Sequence, residues 1–137
     1  MLNADINIRV RYAETDRMGY VYYGNYATYY EVGRVEALRK LGMSYKEMED
    51  QGIMLPVLSF NIKYFKPAYY DDLLTIKTSI TEMPNTRIKF EYECYNEKNE
   101  LLNKGDTTLV FINASSNKPC MAPDWFLEKI KPFFINT

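Results

Sequence analysis

The chain has 137 residues, of which 47% are hydrophobic and 26% are charged, and its formal net charge is −1. This length and composition are typical of one soluble globular domain, which we place at residues 1–137, and they exclude a disordered chain. The charge argues against a nucleic-acid-binding protein, and the absence of histidine excludes Ser-His-Asp catalysis and histidine-ligated metals.

The chain begins with a predicted strand. Hydrophobic and polar side chains alternate over residues 5–12, which is typical of a half-buried β-strand. Four side chains are expected on its buried face: Ile6, Ile8, Val10 and Tyr12. The following segment, residues 13–24, is predicted to be a loop.

A long amphipathic helix is predicted from residue 25 to about residue 41. Asn25 is a favourable N-cap residue, and Gly42 can end the helix in a left-handed conformation. Five residues at spacings of three and four form one stripe along this helix: Tyr26, Tyr30, Gly33, Ala37 and Leu41. A second, short helix is predicted to begin at Ser44, with Glu47 completing a capping box, and to end at Gly52.

The rest of the chain is predicted to be mainly β-structure. Alternating patterns predict four strands joined by short turns: residues 55–64, 73–82, 87–96 and 101–113. Pro67 breaks the first of these strands, and Gly105 is a candidate β-bulge in the last. Residues 123–134 predict a short closing helix.

The order of these elements predicts an α+β fold. Short connections favour an antiparallel sheet of about five strands, and the striped helix must bury its apolar side against that sheet. We therefore expect a twisted sheet wrapped around one long central helix. Such a sheet leaves unprotected edges, and pairing of edges predicts at least a dimer.

The segment TDRMGYVYYGNY, residues 15–26, places a carboxylate just ahead of the long helix. Asp16 lies between a strand end and a helix start, where backbone N–H groups are unpaired and carry the positive end of the helix dipole. A carboxylate there can act as a general base or a nucleophile, or it can merely stabilise the helix start by its charge. The residues alone leave both interpretations open.

The order of elements, together with VRYAETDRMGYVYYGNYATYYEVGRVEALRKLG, resembles the hotdog-fold acyl-CoA thioesterases, and most closely the 4-hydroxybenzoyl-CoA thioesterase / YbgC-like family. The matching residues in this segment are Asp16, Gly19, Asn25, Tyr26, Glu31 and Arg34. The later stretch FNIKYFKPAYYDDLLTIKT resembles the second and third strands of that family. The resemblance covers nearly the whole chain and implies a hotdog fold that hydrolyses acyl-CoA to free acid and CoA. It also implies a homodimer or homotetramer with its active site at the subunit junction.

The resemblance also implies roles for individual residues. Asp16 is expected to be the catalytic carboxylate, and the backbone N–H of Tyr23 is expected to polarise the thioester carbonyl. Glu31 is the alternative carboxylate, for which a structural role is expected. The segment expected to contact the substrate contains Gly19, Tyr22, Gly24, Asn25 and Tyr26. Core packing is the alternative role of the tyrosines, and helix capping that of Asn25.

Basic side chains can pair with the phosphates of CoA. The candidates are Arg87, Lys89 and Lys118, each of which can instead be a solvated surface charge. No cofactor and no metal are predicted. The two cysteines, Cys94 and Cys120, are too few for a disulfide scaffold or a four-cysteine zinc site, so we expect free thiols.

Two other functions are alternatives to hydrolysis. Hotdog dehydratases rely on a histidine, which this chain lacks. A non-catalytic acyl-CoA-binding or regulatory module remains an alternative, and a hydrolysis assay separates it from an enzyme. No apolar run approaches the roughly 20 residues that span a bilayer, and the N-terminus lacks the layout of a signal peptide. We therefore expect a cytoplasmic protein without a membrane span.

Overall fold

A computed structural model describes residues 1–135 of the chain. The main sheet contains five strands: β1 (Leu2–Arg9), β3 (Val57–Tyr64), β4 (Leu73–Ile80), β5 (Arg87–Tyr95) and β6 (Leu101–Val110). A small second sheet contains three: β2 (Ile53–Met54), β7 (Ile112–Asn113) and β8 (Lys118–Pro119). The spatial orders are β1-β4-β5-β6-β3 and β2-β7-β8, and every pair is antiparallel.

Three α-helices accompany the sheets: α1 (Asn25–Lys40), α2 (Tyr45–Asp50) and α3 (Asp124–Ile130). Helix α1 has 16 residues, and α2 and α3 have six and seven. Because α1 contacts β1, β4 and β5, the sheet wraps around it. The predicted α+β architecture, an antiparallel sheet of five strands around one long helix, is confirmed. In residues 1–135, none of the helices has both the length and the apolar character needed to cross a membrane.

The core forms where α1 lies on the sheet. The ring of Tyr30 stacks on that of Tyr92 in β5 at 4.3 Å between centroids. A Cβ atom at Gly33 would lie 2.6 Å from the hydroxyl of Thr78, so glycine is required for this close approach. Of the predicted stripe, only Leu41 is less than fully buried. The buried stripe is wider than predicted and also includes Tyr29, Arg34 and Leu38, because the sheet contacts the helix through three strands.

The C-terminal ends of α1 and α2 and the start of α2 agree with the sequence prediction. The Ser44 hydroxyl accepts a hydrogen bond from the backbone N–H of Glu47 at 3.1 Å, which caps α2 as predicted. Gly42 and Gly52 both adopt the left-handed conformation, with φ of +78° and +82°. These glycines therefore end the two helices as expected.

Two strand predictions are wrong at their ends. β1 covers Leu2–Arg9, three residues earlier than predicted, and Tyr12 lies in a 3-10 helix (Tyr12–Glu14) with its side chain 77% exposed. The last predicted strand, residues 101–113, is interrupted at Phe111, after which β7 pairs with β2 instead of β3. In both cases the hydrophobic alternation of the sequence continues past the residue at which the chain leaves the main sheet.

The predicted bulge at Gly105 is also wrong. Gly105 pairs in register with both Tyr92 and Ile62, and the register shifts lie elsewhere, next to Val57 and Tyr95. A Cβ atom at Gly105 would lie well under 3.0 Å from the backbone oxygen of Asn61. Glycine is required at position 105 because the backbone of the neighbouring strand packs closely against it.

The connection after β3 crosses one end of the sheet. Consecutive strands β3 and β4 are not neighbours, since β3 pairs only with β6 within residues 1–135 and forms an edge of the sheet. Residues 65–72 must therefore pass across that end to reach β4. This crossover brings the residues after Tyr64 close to the loop that precedes α1, where the candidate site lies.

Candidate active site

A mainly apolar cleft of about 280 Å³ lies between the loop before α1 and the crossover after β3. Three predicted site residues line it together: Asp16, Tyr23 and Tyr26. The remaining walls come from the same two segments: Met18, Tyr20, Val21, Tyr64, Phe65, Lys66 and Pro67. The structure thus brings the candidate carboxylate and the start of α1 into one concave surface.

Backbone hydrogen bonds fold the loop into a tight turn around Asp16. The N–H of Asp16 donates to the oxygen of Tyr20 at 2.8 Å, and the N–H of Gly19 donates to the oxygen of Asp16 at 3.0 Å. Gly19 has a φ of +82°, which favours glycine. The N–H of Val21 donates to the oxygen of Ala68 at 2.8 Å, which joins the loop to the crossover.

The two carboxylate oxygens of Asp16 have different surroundings. Oδ1 accepts hydrogen bonds from the backbone N–H groups of Met18, at 2.9 Å, and Tyr20, at 3.3 Å. Oδ2 has no hydrogen-bond or ion-pair partner within residues 1–135. The side chain is half-buried. One oxygen therefore fixes the orientation of the carboxylate, and the other can accept a proton or attack a carbonyl.

The start of α1 has free backbone donors, and one of them belongs to Tyr23, which lines the same cleft. The N–H groups of Asn25 and Tyr26 donate to the oxygens of Tyr22 and Tyr23, at 2.9 and 3.2 Å. Across the described residues 1–135, the N–H groups of Tyr23 and Gly24 donate to no protein acceptor. Both lie at the positive end of the helix dipole, where an oxyanion is stabilised.

The prediction that Asn25 caps this helix is wrong. Gly24 occupies the N-cap position, and Asn25 is the first helical residue. The side-chain amide of Asn25 donates instead to the backbone oxygen of Glu14 at 2.8 Å. It thereby connects the helix start to the 3-10 helix that ends at Glu14.

Two other loop residues lie beside the cleft. A Cβ atom at Gly24 would lie 2.7 Å from the ring of Tyr22, so this glycine makes room for the ring. The rings of Tyr22 and Tyr23 contact each other at 4.7 Å between centroids. Tyr22 does not line the cleft. Gly19 lines a neighbouring depression that shares Asp16 with the cleft.

An aromatic wall closes one side of the cleft. The ring of Tyr26 packs against Tyr64, with centroids 5.8 Å apart, and edge-on against Tyr29 at 5.7 Å. Tyr26 is almost fully buried, and burial raises the pKa of its phenol above the ordinary value. Its hydroxyl therefore remains protonated at neutral pH and contributes apolar surface and a hydrogen-bonding group rather than a charge.

The predicted phosphate-binding residues lie away from the cleft. Arg87 begins β5, and Cys94 lies near the other end of that strand. Cys94 pairs with Asn103 of β6, which in turn pairs with Tyr64 in the wall of the cleft. Seven residues of strand separate Arg87 from Cys94, which is roughly 23 Å. Lys89 and Lys118 lie at the same distant end. The lysine that does line the cleft, Lys66, was not predicted, and it pairs with Glu100 at 2.5 Å.

The other candidate residues lie outside the cleft. Glu31 is exposed on α1. Cys94 is buried and Cys120 is half-buried, and both are free thiols, as predicted. Burial raises the pKa of Cys94 to about 12, so its thiol is not a nucleophile at neutral pH.

Sequence reasoning missed Glu14, which forms more hydrogen bonds near the site than any predicted residue. Its side-chain and backbone oxygens accept hydrogen bonds from Arg11, just after β1, from α1 and from the loop. The sequence signal for it is the spacing Arg11-x-x-Glu14, which permits an ion pair across one turn.

Known proteins are similar to this chain over most of its length. The Thioesterase superfamily matches residues 18–103. A putative acyl-CoA thioesterase of Bacillus subtilis, YneP, is 38% identical over 86% of this chain and 88% of its own length. The acyl-CoA thioester hydrolase YbgC of Escherichia coli is 32% identical over 90% of this chain and 92% of its own.

A solved structure is similar throughout the fold. The DHNA-CoA thioesterase from Staphylococcus aureus superposes with a TM-score of 0.89 and is 39% identical, covering 98% of this chain and 94% of its own. These similarities confirm the predicted resemblance to hotdog-fold acyl-CoA thioesterases and the hotdog fold itself.

Proposed function

Because this chain belongs to the Thioesterase superfamily, we propose that it is an enzyme that hydrolyses acyl-CoA thioesters to a free acid and CoA. The observation that carries the proposal is that a residue with a free carboxylate oxygen and a residue with a free backbone N–H line the same cleft. Asp16 Oδ2 and the N–H of Tyr23 are the two groups concerned. The names of the relatives YneP and YbgC support this activity.

The proposed chemistry begins with the carbonyl oxygen of the thioester at the N–H of Tyr23. As a general base, Asp16 Oδ2 takes a proton from water, and the hydroxide so formed attacks the carbonyl carbon. The negative charge that develops on the carbonyl oxygen is stabilised by the unpaired N–H groups at the start of α1. Collapse of this intermediate breaks the C–S bond and releases CoA, whose sulfur takes up the proton.

The alternative chemistry makes Asp16 a nucleophile. Oδ2 then attacks the carbonyl carbon directly, the C–S bond breaks, and a mixed anhydride forms that water hydrolyses to the acid and the free carboxylate. Both routes need the same free oxygen and the same donor. The fixed Oδ1 serves either route, because it prevents rotation of the carboxylate away from the cleft.

The cleft favours a short or aromatic acyl group. Its volume of about 280 Å³ is small, and its walls carry the rings of Tyr26, Tyr64 and Phe65. Flat rings stack well on such walls. The similarity to a structure described as a DHNA-CoA thioesterase supports an aromatic acyl group.

The active unit we propose is at least a homodimer, formed by pairing of β3 edges. β3 is an edge strand whose backbone is paired on one side only, and it exposes apolar side chains. The exposed residues of this edge are Val57, Leu58, Phe60, Tyr64 and Phe65. A second copy would cover this surface, which monomers rarely leave exposed. Since Tyr64 and Phe65 also line the cleft, the partner would close it.

Antiparallel pairing of β3 with its copy would reverse the direction of the partner. The Val57 end of the partner would then lie beside the Tyr64 end of this chain. Because Arg87 pairs with Val110, close to the Val57 end, Arg87 of the partner subunit would approach the cleft. Arg87, Lys89 and Lys118 are thus proposed to bind CoA phosphates across the subunit junction.

A substrate screen tests the proposed activity. Short, medium, long and aromatic acyl-CoAs are incubated with the purified protein, and the free thiol of CoA is measured. We expect thiol release with at least one class, and fastest with short or aromatic groups. Binding of acyl-CoA without thiol release from any substrate would favour the non-catalytic binding module. Location in the cytoplasm stays a prediction.

Mixed dimers test the shared site. Asp16→Asn and Arg87→Glu are each expected to be weakly active when alone. After mixing through mild denaturation and refolding, random pairing restores one complete site in half of the dimers, or about a quarter of the parental activity. Mixing without any recovery would show that Arg87 does not act across the junction.

A further inference from the structure

Glu14 lies two residues before Asp16, and its side chain joins two segments beside the site. Its carboxylate accepts from the backbone N–H of Arg11 at 2.9 Å and from the Arg11 guanidinium at 2.8 Å. It also accepts from the hydroxyl of Tyr29 at 2.9 Å. Tyr29 packs edge-on against Tyr26 in the wall of the cleft. The carboxylate thus connects Arg11, at the start of the 3-10 helix that follows β1, to the aromatic wall.

The backbone oxygen of Glu14 makes a second set of contacts, to the start of α1. It accepts from the N–H of Tyr22 and from the side-chain amide of Asn25, both at 2.8 Å. These two donors flank Tyr23 and Gly24, the residues whose N–H groups are free. A shift of Glu14 would therefore displace the oxyanion donors relative to the carboxylate of Asp16.

The side chain of Glu14 is held more firmly than an ordinary surface carboxylate. Only 12% of it is exposed, whereas the guanidinium of Arg11 is 78% exposed. Burial disfavours the charged carboxylate, but hydrogen bonds from Arg11 and Tyr29 outweigh this and lower the pKa of Glu14. The group is charged at neutral pH and fully occupied by protein donors.

We infer that Glu14 is a positioning residue, which fixes the distance between the Asp16 carboxylate and the free N–H groups of Tyr23 and Gly24. This inference rests on the proposed hydrolysis. Glu14 does not line the cleft and has no direct part in the chemistry. Its contribution is geometric, and misplacement of reacting groups by about 1 Å can cost on the order of 10²-fold in rate.

The test compares two substitutions that break equivalent ion pairs. Glu14→Gln breaks the pair with Arg11, and Glu36→Gln breaks the pair between Glu36 and Arg39, which has the same three-residue spacing and lies on α1 away from the cleft. We expect Glu14→Gln to lower kcat on the order of 10- to 10²-fold with KM changed only about twofold. Glu36→Gln should leave both within about twofold.

Two further variants sharpen this comparison. Glu14→Ala removes the acceptors that glutamine retains and should lower kcat at least as much as Glu14→Gln. Tyr29→Phe removes only one hydroxyl and should lower kcat less. In the Glu14→Ala background, Tyr29→Phe should add little, since the two groups act through one contact.

Hydrogen exchange supplies a readout that does not depend on activity. In the folded protein, peptides covering residues 15–26 should exchange faster in Glu14→Ala than in the parent or in Glu36→Gln. Parental kcat and parental exchange in folded Glu14→Ala would overturn the inference, as would equal losses of kcat in Glu14→Ala and Glu36→Gln. If the parent hydrolyses no acyl-CoA, the proposed function fails, and the exchange comparison still decides the role of Glu14.

Discussion

Replacing Asp16 by asparagine should separate its role in catalysis from its role in the loop. Asparagine retains an oxygen at the position of Oδ1, so the hydrogen bonds from Met18 and Tyr20 can persist. It replaces Oδ2 by an amide nitrogen, which can neither take a proton from water nor attack a carbonyl. The substitution therefore removes both proposed forms of the chemistry while keeping the turn.

The structure sets the size of the two effects. Loss of a general base lowers kcat by on the order of 10²–10⁴-fold, which is roughly 3–5 kcal/mol of transition-state stabilisation. Folding loses only the charge on two hydrogen bonds, one of good length and one long, which costs about 1 kcal/mol. In a domain of this size that lowers Tm by roughly 3–5 °C. The loss of activity thus exceeds any effect of reduced stability.

The assay is steady-state release of free CoA thiol, with Tm and acyl-CoA binding measured on the same preparations. We expect kcat to fall while binding persists. Asp16→Ala serves as a second variant: it also loses the two turn hydrogen bonds and should destabilise further, by about 1–3 kcal/mol. A folded Asp16→Asn that hydrolyses its best substrate at the parental rate would refute the mechanism, and Glu31 would be the next carboxylate to test.

Three further predictions concern the framework of the site. Gly105→Ala should lower the free energy of unfolding by roughly 1–3 kcal/mol, seen in urea titration, because its Cβ would collide with the backbone of Asn61. Alkylation at about pH 8 followed by mass spectrometry should label Cys120 and spare Cys94 in the folded protein. The reason is that Cys94 is buried and its thiol remains protonated. Labelling of Cys94 at the rate of the unfolded chain would contradict this. Since the pKa of Glu14 is lower in the folded state than its ordinary value near 4.5, its ionisation stabilises the fold above that value. This contribution should be lost as pH falls from about 4.5 through the lowered pKa of Glu14, and Glu14→Gln should therefore show a smaller loss of Tm over that range than the parent.

Local patterns predicted the elements of this fold because each depends on neighbouring residues. The glycines that end α1 and α2 and the Ser44 cap follow from conformations set within a few residues. The position of β3 at the sheet edge does not, since its pairing with β6 depends on contacts about 40 residues apart along the chain. More residues of α1 are buried than the single predicted stripe contains, and the reason is the same. The periodicity of the sequence predicts one stripe, whereas the folded sheet contacts the helix through three strands.

The predicted site shows the same division. Asp16, Tyr23 and Tyr26 lie close along the chain, and the structure brings them together in one cleft. Arg87, Lys89 and Lys118 are predicted from their charge and their position beside turns, neither of which reports distance from the cleft, and within one subunit they lie at the far end of the sheet. Glu14 is not predicted from the sequence because its contact with the site is made by the hydroxyl of Tyr29 on α1, 15 residues further along the chain.

The sequence left open whether Asp16 serves the helix start or catalysis, and its contacts favour the catalytic role that we propose. A carboxylate that stabilises α1 would accept hydrogen bonds from the first N–H groups of that helix. Asp16 accepts from Met18 and Tyr20 instead, within its own loop. The N–H groups of Tyr23 and Gly24 consequently stay free of acceptors in residues 1–135. Leaving a carboxylate oxygen and adjacent helix-start donors without partners contributes nothing to folding, whereas both are required to attack and polarise a thioester carbonyl.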